Sequence, residues 1–124
     1  MEADFRDEQA IRRAAEALVE TLGPSGLNGL VNNAGIAVGG PLECVPVADW
    51  RRQLEINVLG PVAVTQAFLP LLRTARGRIV NMGSVSGRMA APFLGPYAAS
   101  KYAMEAITDA LRRELRPWGM WAAV

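Results

Sequence analysis

Histidine is absent from the 124-residue sequence, and Cys44 is its only cysteine. Without histidine, the chain cannot supply a Ser-His-Asp triad, the commonest zinc ligand or a histidine general base. A lone cysteine excludes a disulfide within the chain and a metal cluster built on several thiolates. Any acid–base chemistry performed by this chain must therefore use tyrosine, lysine, aspartate or glutamate.

Charge of one sign and long apolar runs are also scarce. The 13 Lys and Arg residues nearly balance 12 Asp and Glu residues, the formal net charge is +1, and the two signs are interspersed. A protein that follows a phosphate backbone needs a clustered basic face, so we expect no nucleic-acid partner. No apolar run reaches the ~18 residues of a membrane span and no signal peptide opens the chain, so we expect no membrane span and a cytoplasmic location.

Helical and extended patterns alternate along the chain, which predicts an α/β fold with a parallel sheet. The predicted helices cover 7–22, 47–73 and 97–116, and the predicted strands cover 27–32, 77–82 and 120–124. The first helix has no strand before it and the last strand stops at the terminus, so we expect part of a domain. Three strands leave a sheet edge and much of one face bare. We therefore expect a homo-oligomer, formed through the helices 47–73 and 97–116.

Tyr97 and Lys101 stand four residues apart, which places them on one face of the third predicted helix. An ammonium group beside a phenol favours the phenolate form, and such a phenol can donate or accept the proton of an alcohol. Ser84 follows a predicted strand, and its hydroxyl can hydrogen-bond the same substrate oxygen. The plainer interpretation is an accidental spacing of surface residues. Two further motifs accompany the trio, and together they favour a catalytic site.

Asn57 interrupts an apolar helical stretch and is the first of those additional signals. It is either an internally satisfied polar residue or a functional one. Pro61 follows four residues later and has no N–H to donate to the Asn57 carbonyl. With Gly60 beside the proline we expect a kink and a free carbonyl oxygen, which can anchor a water that carries protons from the lysine to solvent.

The tetrapeptide Asn32–Gly35 follows the first predicted strand and is the second additional signal. Ligands of open parallel sheets bind outside the carboxyl ends of the strands. Small residues at that position let a flat ligand approach the backbone closely. A plain turn is the alternative, because Asn and Gly are common turn formers.

These motifs together resemble the short-chain dehydrogenase/reductase family, over essentially the whole chain. The matching segments are NNAG at 32–35, INVLG around Asn57, NMGS ending at Ser84, and YAASK from Tyr97 to Lys101. The resemblance implies a Rossmann-like, doubly wound parallel sheet and an NAD or NADP cofactor. It also implies that Tyr97 is the acid/base and Ser84 orients the substrate oxygen. Lys101 would bind the nicotinamide ribose and assist the tyrosine, and Asn57 would support a proton relay.

The same resemblance assigns the cofactor contacts and a substrate class. Asp4 is similar to the family's aspartate at the adenine ring, and Asn33, Ala34 and Gly35 would line the adenosine side, while Tyr97 and Lys101 contact the nicotinamide half. The segments LPLLRTARGRIVNMGSVSGR and SKYAMEAITDALRREL are similar to the branch of retinol, hydroxysteroid and 3-hydroxybutyrate dehydrogenases. That branch implies a small, apolar alcohol or carbonyl substrate.

The chain departs from the family at both ends. Residues 1–124 would form a partial domain that lacks the amino-terminal Gly-rich cofactor motif and the carboxyl-terminal substrate segment. We expect an oxidoreductase that interconverts a secondary alcohol and a ketone or aldehyde by hydride transfer. The alternatives are a catalytically incomplete fragment that acts as a self-associating or binding module, and a Rossmann-like ligand-binding domain without turnover.

Overall fold

A computed structural model describes residues 7–124 as a three-stranded parallel sheet with helices packed on one face. The helices are α1 (Glu8–Leu22), α2 (Val47–Leu54), α3 (Gly60–Ala75) and α4 (Gly95–Leu115), and the strands are β1 (Gly29–Asn32), β2 (Arg78–Asn81) and β3 (Trp121–Ala123). A π-helical turn, Glu55–Leu59, joins α2 to α3. The short 3-10 turns are Gly23–Ser25, Val85–Gly87 and Arg116–Trp118.

The strands lie in the order β1-β2-β3, and all neighbours are parallel. The predicted α/β fold with a parallel sheet is therefore confirmed. The strands are shorter than predicted because their first residues bond to a helix instead of a strand. Leu27 donates its N–H to the Leu71 carbonyl, and Gly77 donates to the Leu72 carbonyl, both at the end of α3.

A side-chain cap begins α1 and a glycine ends it. The Asp7 carboxylate accepts hydrogen bonds from the N–H groups of Gln9 and Ala10, at 2.9 and 3.0 Å. Gly23 ends the helix with a positive φ of 54°. Ile11 is buried against the rest of the fold.

The predicted helix 47–73 is continuous to Ala75, but the expected kink at Gly60 and Pro61 takes the form of the π turn. Gly60 donates its N–H to the Glu55 carbonyl, five residues back. Pro61 has no N–H to donate to the Asn57 carbonyl, and the wider π turn lets the helix continue past this missing hydrogen bond. Single π turns of this kind are frequent at functional sites.

The composite helix Val47–Ala75 is long and apolar enough to cross a membrane, with 39% of its most apolar window buried in the fold. Length and composition alone are weak evidence, because core helices of folded domains meet the same criterion. The expectation of no membrane span therefore stays a prediction.

The core lies between the sheet and α3 and α4. Its buried residues are Leu72, Ile79, Leu115, Met120 and Ala122. Alternate strand residues point to the opposite face, where Val31 is 62% and Trp121 is 54% exposed. Within residues 7–124, no helix covers that face, as expected from three strands with every helix on one side.

Candidate active site

A cleft of about 330 Å³ opens where β1 and β2 end. Its lining comes from the segment after β1, the segment after β2, the π turn and the first turns of α4. The lining residues are Asn33, Gly35, Ile36, Ala37, Asn57, Met82, Gly83, Tyr97 and Lys101. Five residues singled out from the sequence thus share one cleft, although up to 68 positions separate them in the chain.

Tyr97 and Lys101 occupy successive turns of α4 and face the cleft together. The Lys101 ammonium lies 5.7 Å from the centre of the Tyr97 ring. It donates a hydrogen bond of 2.7 Å to the main-chain oxygen of Met82, just beyond β2. The end of the strand therefore tethers the lysine beside the phenol, as the four-residue spacing predicts.

Ser84 borders the cleft instead of lining it. It follows Gly83, and its Oγ accepts a hydrogen bond of 3.1 Å from the N–H of Ser86. The hydroxyl thus caps the turn Val85–Gly87 and still keeps its own proton to donate. A Cβ on Gly87 would come within 3.2 Å of the Lys101 carbonyl oxygen, so this turn packs closely on α4.

An ion pair also ties this turn to α4. Arg88 donates to the Glu105 carboxylate at 2.8 Å. The hydrogen bond and the negative charge of Glu105 raise the pKa of Arg88. The arginine side chain is 77% exposed, so the pair is a surface contact.

The Asn57 side chain is buried and fully bonded. Its Oδ1 accepts from the N–H of Ile36, and its Nδ2 donates to the Ile36 carbonyl, both at 2.9 Å. Nδ2 also contacts the Ser100 hydroxyl at 3.2 Å. The Asn57 side chain is therefore an internally satisfied polar group. The expected proton relay concerns only the Asn57 main-chain carbonyl, to which Pro61 has no N–H to donate.

Gln53 and Ser100 were not singled out from the sequence, yet both belong to this arrangement. Gln53 is fully buried, accepts from the N–H of Val38 at 2.7 Å and donates to the Ile36 carbonyl at 3.0 Å. A signal for Gln53 existed, because it precedes Asn57 by four residues and shares its helix face. Ser100 carried no comparable signal.

The predicted adenosine-side residues are divided by the structure. Asn33 and Gly35 line the cleft, and a Cβ on Gly35 would lie 3.3 Å from the Asn57 Oδ1. Ala34 instead lines a separate cavity of about 270 Å³ between β1 and the π turn. Ala34 is therefore not part of the cleft lining. Asp4 lies outside the described residues.

A second buried polar cluster lies below the cleft. Asn32 donates to the Asn81 Oδ1 at 2.8 Å and to the Thr65 hydroxyl at 3.1 Å. Asn81 donates to the Thr108 hydroxyl at 2.8 Å. The first asparagine of the NNAG motif thus joins the two strands to α3 and α4 and does not face the cleft.

The residues of the cleft fit part of a nicotinamide dinucleotide. The lysine ammonium offers hydrogen-bond donors for ribose hydroxyls. The missing Cβ at Gly35 lets the segment after β1 pack closely on the Asn57 amide, which a Cβ would meet at 3.3 Å. The cleft volume of about 330 Å³ suits one half of such a ligand. The Tyr97 phenol lies in the same cleft, where it can exchange a proton with a substrate oxygen.

Comparisons with known proteins agree with this geometry. The profile of the family described as short chain dehydrogenase matches residues 1–123. Mouse retinol dehydrogenase 5 is 45% identical over 122 residues, covering 98% of this chain and 38% of that protein. Bovine mitochondrial D-beta-hydroxybutyrate dehydrogenase is 42% identical over 118 residues, covering 94% of this chain and 34% of that protein.

A solved structure of ElxO with NADP bound is also similar, with a TM-score of 0.90 and 26% identity over 97% of this chain and 48% of that one. The likeness confirms the predicted fold class, the central part of a Rossmann-like parallel sheet. The chain spans less than half the length of each protein named here.

Proposed function

The chain belongs to the short-chain dehydrogenase family, and from this premise we propose that it carries the acid–base site of an NAD- or NADP-dependent oxidoreductase. The proposed reaction interconverts a secondary alcohol and a ketone, or a primary alcohol and an aldehyde, by transfer of one hydride and one proton. The observation that carries the proposal is the convergence of Tyr97, Lys101 and Asn57 in one cleft. A domain that merely binds a ligand has no need of these groups together.

Tyr97 is the proposed proton donor and acceptor. The bound dinucleotide supplies or takes up the hydride, and the protein positions and polarises the substrate. The Lys101 ammonium, held by the Met82 carbonyl at 2.7 Å, places a positive charge 5.7 Å from the centre of the Tyr97 ring. The Ser84 Oγ accepts from Ser86, which leaves its O–H free to donate to a substrate oxygen.

Asn57 is proposed to act through its main chain. Pro61 has no N–H for the Asn57 carbonyl, and the π turn places this position beside the cleft. A main-chain oxygen that lacks the Pro61 bond can hold a water that exchanges protons with the Lys101 ammonium. The amide side chain takes no part in this relay, since it is bonded to Ile36 and Ser100.

The proposed substrate is a small, apolar alcohol or carbonyl compound. Retinol, in the name of one relative, is a largely apolar alcohol and supports this class. Hydroxybutyrate, in the name of another, is also an alcohol, but it carries a carboxylate, so it supports the alcohol chemistry and not the apolar character. The NADP of ElxO supports a nicotinamide dinucleotide as the cofactor.

The test measures turnover of apolar alcohols in the presence of NAD or NADP. The readout is the change in absorbance as the nicotinamide is reduced. Tyr97→Phe should lower turnover about 10²–10⁴-fold, because general acid–base catalysis contributes that much. Dinucleotide binding should survive, since only the phenolic proton is lost. Tyr102→Phe on the exposed side of the same helix is the matched control and should behave like the parent. Equal turnover of the two variants would remove Tyr97 from the mechanism.

The second candidate is a catalytically incomplete module that self-associates. The exposed Val31 and Trp121 on the bare sheet face favour it, because exposed apolar surface promotes association. Light scattering of the 124-residue chain, together with the binding and turnover measurements, distinguishes the oxidoreductase from the self-associating module. Stable oligomers that neither bind dinucleotide nor turn over would favour the module. Association through the helices 47–73 and 97–116, the partial-domain assignment of 1–124 and a cytoplasmic location stay predictions.

A further inference from the structure

We propose that Gln53 is a positioning residue that fixes the loop 36–38, one wall of the cleft, relative to the turn of α4 that carries Tyr97. The inference rests on the proposed function, because it assigns the loop a part in holding the dinucleotide. It adds a residue that neither touches the cleft nor belongs to the four groups assigned to the chemistry.

Both polar atoms of the buried Gln53 side chain are hydrogen-bonded. The side chain is 0% exposed, its Oε1 accepts from the Val38 N–H at 2.7 Å, and its Nε2 donates to the Ile36 carbonyl at 3.0 Å. Nε2 also contacts the Ser100 hydroxyl at 3.4 Å. A glutamine at a buried helix position is costly unless it is bonded in this way.

The loop 36–38 depends on side chains for its main-chain hydrogen bonds. Residues 33–39 form no helix or strand, so their main-chain groups lack a ladder. The Ile36 N–H and carbonyl bond to Asn57, and the Val38 N–H bonds to Gln53. Ala37 lies between these two anchors and lines the cleft. Two amides therefore set the position of this wall.

Ser100 links the two amides to α4. Ser100 is fully buried, its hydroxyl contacts both amides, and it donates a hydrogen bond of 2.7 Å to the Tyr97 carbonyl. A shift of the loop would thus be felt at the turn that presents the phenol. When Gln53 is replaced, Asn57 keeps its hydrogen bonds to Ile36. The main-chain N–H of Val38 loses its partner, so the loop should become more mobile at Val38.

The experiment compares Gln53→Met with Gln66→Met in the purified protein. Methionine matches the length of glutamine without its hydrogen bonds, and Gln66 lies exposed on α3 of the same composite helix. Amide exchange at Val38 should accelerate about tenfold or more in Gln53→Met, because its N–H loses its partner. The dissociation constant for NAD or NADP, by calorimetric titration, should rise about tenfold. Gln66→Met should change neither.

A structural role alone would give a different result. It would lower the melting temperature and the active fraction, and leave the dissociation constant of the folded protein unchanged. That outcome, or unchanged exchange at Val38, overturns the inference. If Gln53→Met does not fold, Ser100→Ala removes the hydroxyl that both amides contact and should raise the dissociation constant a few-fold. An unchanged constant there overturns it too.

The two proposals fail separately. Exchange at Val38 and dinucleotide titration need no turnover. A protein that binds the dinucleotide and shows both Gln53 effects, yet oxidises no alcohol, would sink the proposed reaction and keep the positioning role.

Discussion

Two buried polar networks in this molecule use the same side-chain chemistry for different purposes. The cleft network consists of Gln53, Asn57 and Ser100, and its amides bond to the main chain of an irregular loop. The sheet network consists of Asn32, Thr65, Asn81 and Thr108, and it bonds side chain to side chain between regular elements. The strands of the second network are also held by their ladder, whereas the Ile36 and Val38 main-chain groups bond to the amides of the first.

The difference teaches where a buried amide affects function and where it affects stability. Loss of a bond in the sheet network should leave every main-chain position in place and cost only free energy. Loss of a bond in the cleft network should move a wall of the site. Substitutions in each network test that separation. Replacement of the Ser84 hydroxyl, which lies outside both networks, gives a loss of turnover with which their effects can be compared.

The largest of these effects is expected for Ser84→Ala. It removes the donor proposed for the substrate oxygen, and loss of such a donor costs on the order of 10² in turnover. Steady-state kinetics measure it. Ser86→Ala is the matched control and should lose little, because only the Ser86 main chain contacts Ser84. If Ser86→Ala proved the more damaging, the assignment of Ser84 would be wrong.

The next effect is expected for Thr108→Val in the sheet network. Valine keeps the shape but leaves the Asn81 Nδ2 without its partner, which should lower the free energy of unfolding by about 1–3 kcal/mol. Denaturant unfolding measures the change. The dinucleotide dissociation constant should stay the same. A changed constant would break the comparison, because the sheet network would then also position the cleft.

Thr74→Val is the control for that measurement. Thr108 and Thr74 each donate a hydroxyl hydrogen bond to the carbonyl one turn back on their helix, that of Met104 and that of Pro70, but Thr74 is exposed. Water can replace its bond, so stability should change little. A loss equal to that of Thr108→Val would show that the network adds nothing beyond the local bond.

A smaller effect is expected for Gly35→Ala, at the contact between the loop and the cleft network. The new Cβ would lie 3.3 Å from the Asn57 Oδ1, so the neighbour must yield by a few tenths of an ångström. Because small misplacements near a reacting centre are costly, we expect the dinucleotide dissociation constant to rise about 3–10-fold. Titration measures it. Gly29→Ala, whose Cβ would meet only an ordinary contact at 3.8 Å, should have no such effect.

The smallest effect is expected for Arg88→Met. The Arg88 side chain is 77% exposed, and solvated ion pairs contribute little to stability. Thermal unfolding should be nearly unchanged. A loss of stability as large as that of Thr108→Val would show that this exposed ion pair stabilises the fold as much as the buried sheet network does.

Much of the site could be predicted from short-range rules. The i, i+4 spacing of Tyr97 and Lys101 put both on one helix face, and both line the cleft. The small residues after a strand pointed to its carboxyl end, where Asn33 and Gly35 lie. Pro61 marked the irregularity of the helix, although the sequence suggested a kink and the structure contains a π turn.

Other features depended on contacts far apart in the chain. The pairing of Asn32 with Asn81 follows from the register of β1 and β2, which no local pattern specifies. Ser100 meets Gln53 across 47 positions. Asn33 lines both cavities, Ala34 lines only the one between β1 and the π turn, and Gly35 lines only the cleft, a division set by the path of an irregular segment.

By itself, the sequence determined the kinds of chemistry open to this protein, the alternation of helix and strand, and the helix face that presents the phenol and the ammonium. These depend on composition and on periods of two to four residues, which are fixed by backbone geometry. Only the tertiary structure decided which buried amides hold the loop and which hold the sheet. That choice depends on the packing of α2, α4 and the strands, which brings together groups that the chain itself keeps tens of residues apart.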